Sequence, residues 1–82
     1  MRDFLEYVAA QLVDRPEHVH LTAETRDGVQ AYVLRLPASE VGKIIGKQGH
    51  TIQAIRHLIG AAVARQGGRC TFEVVGQETA DN

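Results

Sequence analysis

Gly46, Lys47, Gln48 and Gly49 form a tetrapeptide with a glycine at each end and one cation inside, within the stretch GKIIGKQGHTI at residues 42–52. Isoleucines flank it on both sides, and a second lysine, Lys43, lies four residues before Lys47. Three chemistries use glycine and lysine in this way. A nucleotide-binding P-loop needs four residues between its first glycine and its Gly-Lys pair, then a Ser or Thr for magnesium. Here three residues separate Gly42 from Gly46, Gln48 follows Lys47, and the preceding pattern is helical, so that chemistry fails on spacing and context. A plain turn between helices explains one glycine well. It explains two glycines three apart, with a lysine between them, less well. A loop built for close backbone approach uses every part. Residues without Cβ let a sugar-phosphate chain reach the peptide units. A helix starting directly after the loop offers free N–H groups and the positive end of its dipole to phosphate. Lys47 and Lys43 add charge, and Ile44 or Ile45 can floor a groove for bases.

Other reactive side chains make weaker cases. His18, His20 and the single Cys70 lack the paired spacing of a zinc site, and Cys70 reads as a small buried hydrophobe. No Ser-His-Asp or paired-carboxylate signature stands out, so no catalytic residue, metal ligand or cofactor site is expected. Arg56 and His57 fall off the apolar stripe of their helix and are expected in solvent. Of the aromatic residues, Phe4, Tyr32 and Phe72 are expected in the core, with Tyr7 partly exposed.

The elements that must position the loop follow from periodicity. Phe4, Leu5, Val8, Ala9, Leu12 and Val13 recur at helical spacing, and Arg15 before Pro16 ends that helix near Asp14. Two strand-like runs, 18–26 and 29–37, meet at Asp27-Gly28, a pair that favours a two-residue hairpin turn. That turn sets residue 26 opposite 29, 23 opposite 32, 21 opposite 34 and 19 opposite 36. Val19, Leu21, Ala23, Tyr32, Leu34 and Leu36 then share one face. Pro37 closes the second strand. A short helix over 39–45 carries Val41, Ile44 and Ile45. A longer helix over 50–65 buries Ile52, Ile55, Leu58, Ile59 and Ala62 and stops at Gly67-Gly68. A last strand over 69–75 turns Cys70, Phe72 and Val74 inward. The pattern predicts an α+β domain over residues 1–76, in the order helix-strand-strand-helix-helix-strand, with helices on one face of a small sheet. The polar residues 77–82 read as a disordered tail.

With 82 residues the chain closes one modest core. No apolar run is long enough for a membrane span, and no signal-peptide core opens the chain, which favours a soluble cytoplasmic protein. The net charge is −1, but Lys43, Lys47, Arg56, Arg65 and Arg69 face only Glu40 within residues 38–70. Positive charge therefore gathers around the glycine loop.

The stretch from Gly42 to Ile52 resembles the KH-domain signature, in which isoleucine-like residues flank a Gly-x-x-Gly loop. The element order is similar to the prokaryotic, type II arrangement, which implies a mixed three-stranded sheet. At this length, with LVDRP early and VGKIIGKQG in the middle, residues 2–75 resemble the small bacterial single-KH proteins of the KhpA family. The resemblance implies binding of single-stranded RNA, about four nucleotides across the loop, without catalysis. Carried onto this sequence, the loop is Gly46, Lys47, Gln48 and Gly49. Gly42, Lys43 and Ile45 line the groove from the helix before it, and His50 and Thr51 from the helix after it. The resemblance also implies a homodimer, or a heterodimer with a larger KH-containing protein, and roles in RNA chaperoning, cell elongation and cell-wall homeostasis. Self-association has a second support in the long helix: Ile59, Ala62 and Val63 exceed what one small domain is expected to bury. The competing expectation is a protein-interaction module whose loop has little affinity for RNA, which the net charge of −1 favours and Lys47 opposes.

Overall fold

Leu5 and Ala9, one turn apart, are the buried residues of the first helix, α1 (Arg2–Leu12). The computed structural model describes residues 1–77. The helix stops two residues before the expected Asp14 because Val13 turns extended, with φ −103° and ψ 161°. That turn frees the Asp14 N–H for a hydrogen bond of 2.6 Å to Glu40 Oε1, across 26 residues of sequence. Pro16–His18 then form one 3-10 turn, so the first strand, β1 (His20–Arg26), starts two residues later than the alternation predicts.

The hairpin has the predicted register. Asp27 and Gly28 both take positive φ, 52° and 80°, and β1 pairs antiparallel with β2 (Val29–Pro37) so that Arg26 meets Val29, Ala23 meets Tyr32 and Leu21 meets Leu34. Val19 packs at the core edge but lies outside the ladder. Ala23, expected on the buried face, is exposed. Arg2 donates to the Leu21 carbonyl, which sets the start of α1 beside Leu21, and Ala23 lies further along β1 toward the turn.

A 3-10 turn over Ala38–Glu40 leads into α2 (Val41–Ile45), a second over Lys47–Gly49 follows, and α3 spans His50–Ala64. Gly67 and Gly68 end α3 as expected, donating to the carbonyls of Ala64 and Val63 at 2.9 and 3.1 Å. The last strand, β3 (Arg69–Gln77), runs parallel to β2 and two residues beyond its predicted end, pairing Gln77 with Pro37. Gln77 thus belongs to the sheet, while the rest of the expected tail, 78–82, lies outside the described residues. The sheet order is β1-β2-β3, mixed in direction, and the parallel pair is joined by the α2–loop–α3 crossover.

Leu34, Leu36, Ile44 and Ile59 are the largest fully buried side chains and mark the centre of the core. Three sequence expectations about helix faces need correction. Phe4 is 40% exposed and Leu58 59%. At about 100° per residue, Phe4 sits a quarter turn from the Leu5–Ala9 stripe, and Leu58 lies as far from the line through Ile52, Ile55, Ile59 and Val63. Conversely, Ile59 and Val63 are buried within this one chain and Ala62 is half-buried, so the surplus apolar surface expected on α3 is at Leu58 instead.

Candidate nucleic-acid interface

The loop is shaped from both ends by backbone that only particular residues permit. α2 ends at Gly46, whose N–H donates to the Gly42 carbonyl at 2.9 Å and whose φ and ψ are 78° and 174°. A Cβ at Gly46 would lie 2.2 Å from Thr51 Oγ1 and 2.6 Å from Thr51 Cβ. No side chain fits there, and the Thr51 hydroxyl closes directly on the bare backbone. Lys47–Gly49 make a single 3-10 turn in which Gln48 is left-handed, at φ 57° and ψ 23°, as is Gly49, at φ 78° and ψ 10°. The Gly49 N–H returns to the Gly46 carbonyl at 3.1 Å and pins the turn.

The helix that follows starts at once. α3 has Gly49 as its N-cap and no side-chain cap, so the positive end of a 15-residue helix opens at the loop. Lys47, Gln48 and His50 are exposed, Gly49 and Thr51 partly so. Lys47 makes no ion pair among the described residues. Gly42 is exposed and Ile45 half-buried, and they share a flank of α2 with Gly46 at spacings of three and four residues. Gly42, Ile45 and residues 46–51 therefore form one continuous surface. It offers bare peptide, a free cation, a helix N-terminus and an apolar shoulder.

Lys43, expected on that surface, lies three residues before Gly46, but its ammonium is engaged within the protein: Nζ is 2.5 Å from Asp14 Oδ2 and 3.4 Å from Glu40 Oε1. The hydrogen bond from Lys43, then its charge, holds the Asp14 carboxyl below its ordinary value, and Asp14 raises Lys43 in return. Glu40 is the one buried charged residue among the described residues, 5% exposed. Sequence reasoning counted Glu40 only as the lone acid among the cations of residues 38–70 and did not place Asp14 here. Glu40 to Lys43 is a helical spacing visible in the sequence, whereas Asp14 arrives through the fold.

Arg56 is also engaged. Its Nε donates to the Phe72 carbonyl at 3.2 Å and so joins α3 to the edge strand β3. Beside it lies a cavity of about 360 Å³ floored by Ile59 and Phe72 and walled by Cys70 and Glu73. Burial pushes the Cys70 thiol up, as suits a small hydrophobe. No cluster of three or more His, Cys, Asp or Glu able to hold a metal occurs among the described residues.

A mixed three-stranded sheet, helices on one face, and a Gly-x-x-Gly turn between two of them define a type II KH domain. The family model described as "KhpA/KhpB, KH domain" matches residues 2–74, and the chain belongs to that family. It is 40% identical over 75 residues to RNA-binding protein KhpA of Chlamydia muridarum, covering 92% of this chain and 96% of the relative. It is 35% identical over 77 residues to RNA-binding protein KhpA of Clostridium perfringens, covering 92% and 100%. For RNA-binding protein KhpA of Treponema pallidum the identity is 34% over 73 residues, covering 89% and 91%. No solved structure matches.

Proposed function

We propose that this protein binds single-stranded RNA, without catalysis, by laying the sugar-phosphate chain across Gly46–Gly49 and the start of α3. The observation that carries this reading is the loop itself. Gly46 cannot hold a side chain, Lys47 is a free cation among the described residues, and the uncapped end of α3 faces the same place. The relatives are named RNA-binding proteins, which supports RNA as the ligand. Gly42, Ile45, His50 and Thr51 flank the path of the strand. Duplex RNA is a poor ligand on this reading, because its bases cannot turn toward the Ile45 shoulder. By family resemblance the cellular role is RNA chaperoning or post-transcriptional control in the cytoplasm, linked to cell elongation and cell-wall homeostasis. No helix among the described residues is long and apolar enough to cross a membrane. The working form is a homodimer, or a heterodimer with a larger KH-containing protein, which joins two short grooves into a longer site.

A second reading, a protein-interaction module with little RNA affinity, draws on exposed Leu58, Phe4 and Tyr7, all outside the loop. One double variant separates the two. Lys47→Asp with Gln48→Asp puts two carboxylates before the N-terminus of α3. Fluorescence anisotropy with a short single-stranded RNA should show binding lost, while thermal melting stays within about 0.5 kcal/mol of wild type, as for exposed sites. Undiminished affinity in the folded variant would remove the loop from the RNA site.

A further inference from the structure

Lys43 is the residue of this region whose surroundings fit direct phosphate contact least. Its ammonium lies between the exposed Asp14 and the buried Glu40, and Glu40 Oε1 also accepts the Asp14 N–H at 2.6 Å. The other oxygen, Glu40 Oε2, is buried and has no hydrogen-bond partner among the described residues. A buried carboxylate stripped of its cation is costly. If Lys43 swung toward an RNA phosphate it would leave Glu40 in that state. Lys43 is therefore committed to the protein.

What the cluster joins gives it a use. Asp14 follows α1, Glu40 precedes α2, and Lys43 lies within α2, three residues before Gly46. A helix of five residues does not hold itself in water, so its orientation comes from what it touches. Ile44 anchors its inner side in the core. The Asp14–Lys43–Glu40 cluster fixes the flank next to the one that presents Gly42, Ile45 and Gly46.

We propose that Lys43 serves RNA binding as a positioning residue: with Asp14 and Glu40 it forms a clasp that holds α2, and through it the Gly46–Gly49 loop, in the arrangement that meets the strand. The proposal rests on the loop being the RNA site.

Asp14→Asn separates positioning from contact by sign. If Lys43 touched phosphate, removing Asp14 would free it and tighten binding. On the clasp mechanism the same change loosens α2 and weakens binding. Amide hydrogen exchange at Gly46 and Gly49, read without RNA, should quicken in Asp14→Asn and more so in Lys43→Met. Lys43→Arg keeps the cation and should stay near wild type. Affinity for a labelled single strand of about eight nucleotides, twice the length such a groove holds, should fall on the order of tenfold in Lys43→Met, as when the competent arrangement drops to about a tenth of the population. The salt dependence of that affinity should keep its wild-type slope, because no phosphate contact is lost. Tighter binding by Asp14→Asn, a slope shallower by about 0.7 in Lys43→Met, or unchanged exchange and affinity in Asp14→Asn would each overturn the clasp. Should Lys43→Met fail to fold, Asp14→Asn decides alone. Failure of the underlying reading looks different: the Lys47→Asp, Gln48→Asp protein would bind RNA normally, and the exchange at Gly46 and Gly49 would still report on the clasp.

Discussion

Gly46 and Gly49 hold matching places in the loop for different physical reasons, and substitution separates them. A methyl at Gly46 would collide with Thr51 at 2.2 Å and demand a backbone, φ 78° and ψ 174°, that side chains do not adopt. At Gly49 nothing lies within 4 Å, and the cost is only that of a left-handed residue. Gly49→Ala should therefore lose about 1–2 kcal/mol of stability, and Gly46→Ala more, by roughly a further 1–3 kcal/mol. Chemical denaturation of the two variants checks the order; equal losses would mean that the backbone at Thr51 shifts away freely, since rotating the side chain moves Oγ1 but not the Cβ at 2.6 Å. The Gly-x-x-Gly spacing is legible in the sequence, but this inequality is not, because it depends on where Thr51 returns one turn later. Asp14 carries a prediction in pH. Its carboxyl is lowered from 3.8 by Lys43, so the stability it contributes is complete above that value and drains as pH falls through the lowered one. The stability difference between wild type and Asp14→Asn should be flat near neutrality and shrink in acid below 3.8. It should shrink again as pH rises through the raised value of Lys43, above 10.5. A difference that grew in acid would contradict the pairing.

At the scale of elements, α3 shows how far periodicity reaches. Ile52, Ile55, Ile59 and Val63 are buried and Leu58 is 59% exposed, although Leu58 and Ile59 are adjacent and both apolar. Ile59→Ala should cost about 2–5 kcal/mol, the range for emptying a core site. Leu58→Lys should stay within about 0.5 kcal/mol as an exposed change. If a second copy or another KH protein docks on that face, Leu58→Lys should reduce the associated mass in light scattering without moving the melting temperature of the single chain. From the turn to the His20–Arg35 pair the hairpin register is legible, because Asp27-Gly28 and the alternation of Leu21, Tyr32 and Leu34 fix it independently; the expected 19–36 pair lies outside the ladder. Helix flanks are less legible. Phe4 and Leu58 lie a quarter turn off their stripes, and whether such a position is covered depends on neighbours that no local pattern names. The start of β1 lies later for a similar reason: Pro16–His18 fold into a 3-10 turn just after the Asp14 N–H reaches Glu40, a long-range contact.

For the whole molecule, the excess of positive charge around the loop overstates what RNA can meet. Of the cations in residues 38–70, Lys43 is paired with two carboxylates and the Arg56 Nε with a carbonyl of β3. Lys47 is left as the free cation at the turn, and the N-terminus of α3, with only a partial charge, displaces less of the counterion condensed on RNA than a full cation does. One to two phosphate contacts on a single strand imply a log–log salt slope of about −0.7 to −1.4. A shallow slope means a small electrostatic share of the affinity in one groove, and joining grooves is a way to add strength. If two copies of the domain associate, an RNA long enough to cross both converts the second contact into an intramolecular one. An RNA of about five nucleotides, close to the four one groove holds, should then bind weakly with the single-groove slope. One of about twenty nucleotides should bind far more tightly, with roughly twice that slope, since twice the phosphates are met. Anisotropy titrations of both lengths over a series of salt concentrations, with the mass followed by light scattering, test this together. Equal slopes for the two lengths, with the protein at the mass of one chain, would leave a lone groove and confine the protein to brief, weak contacts with RNA.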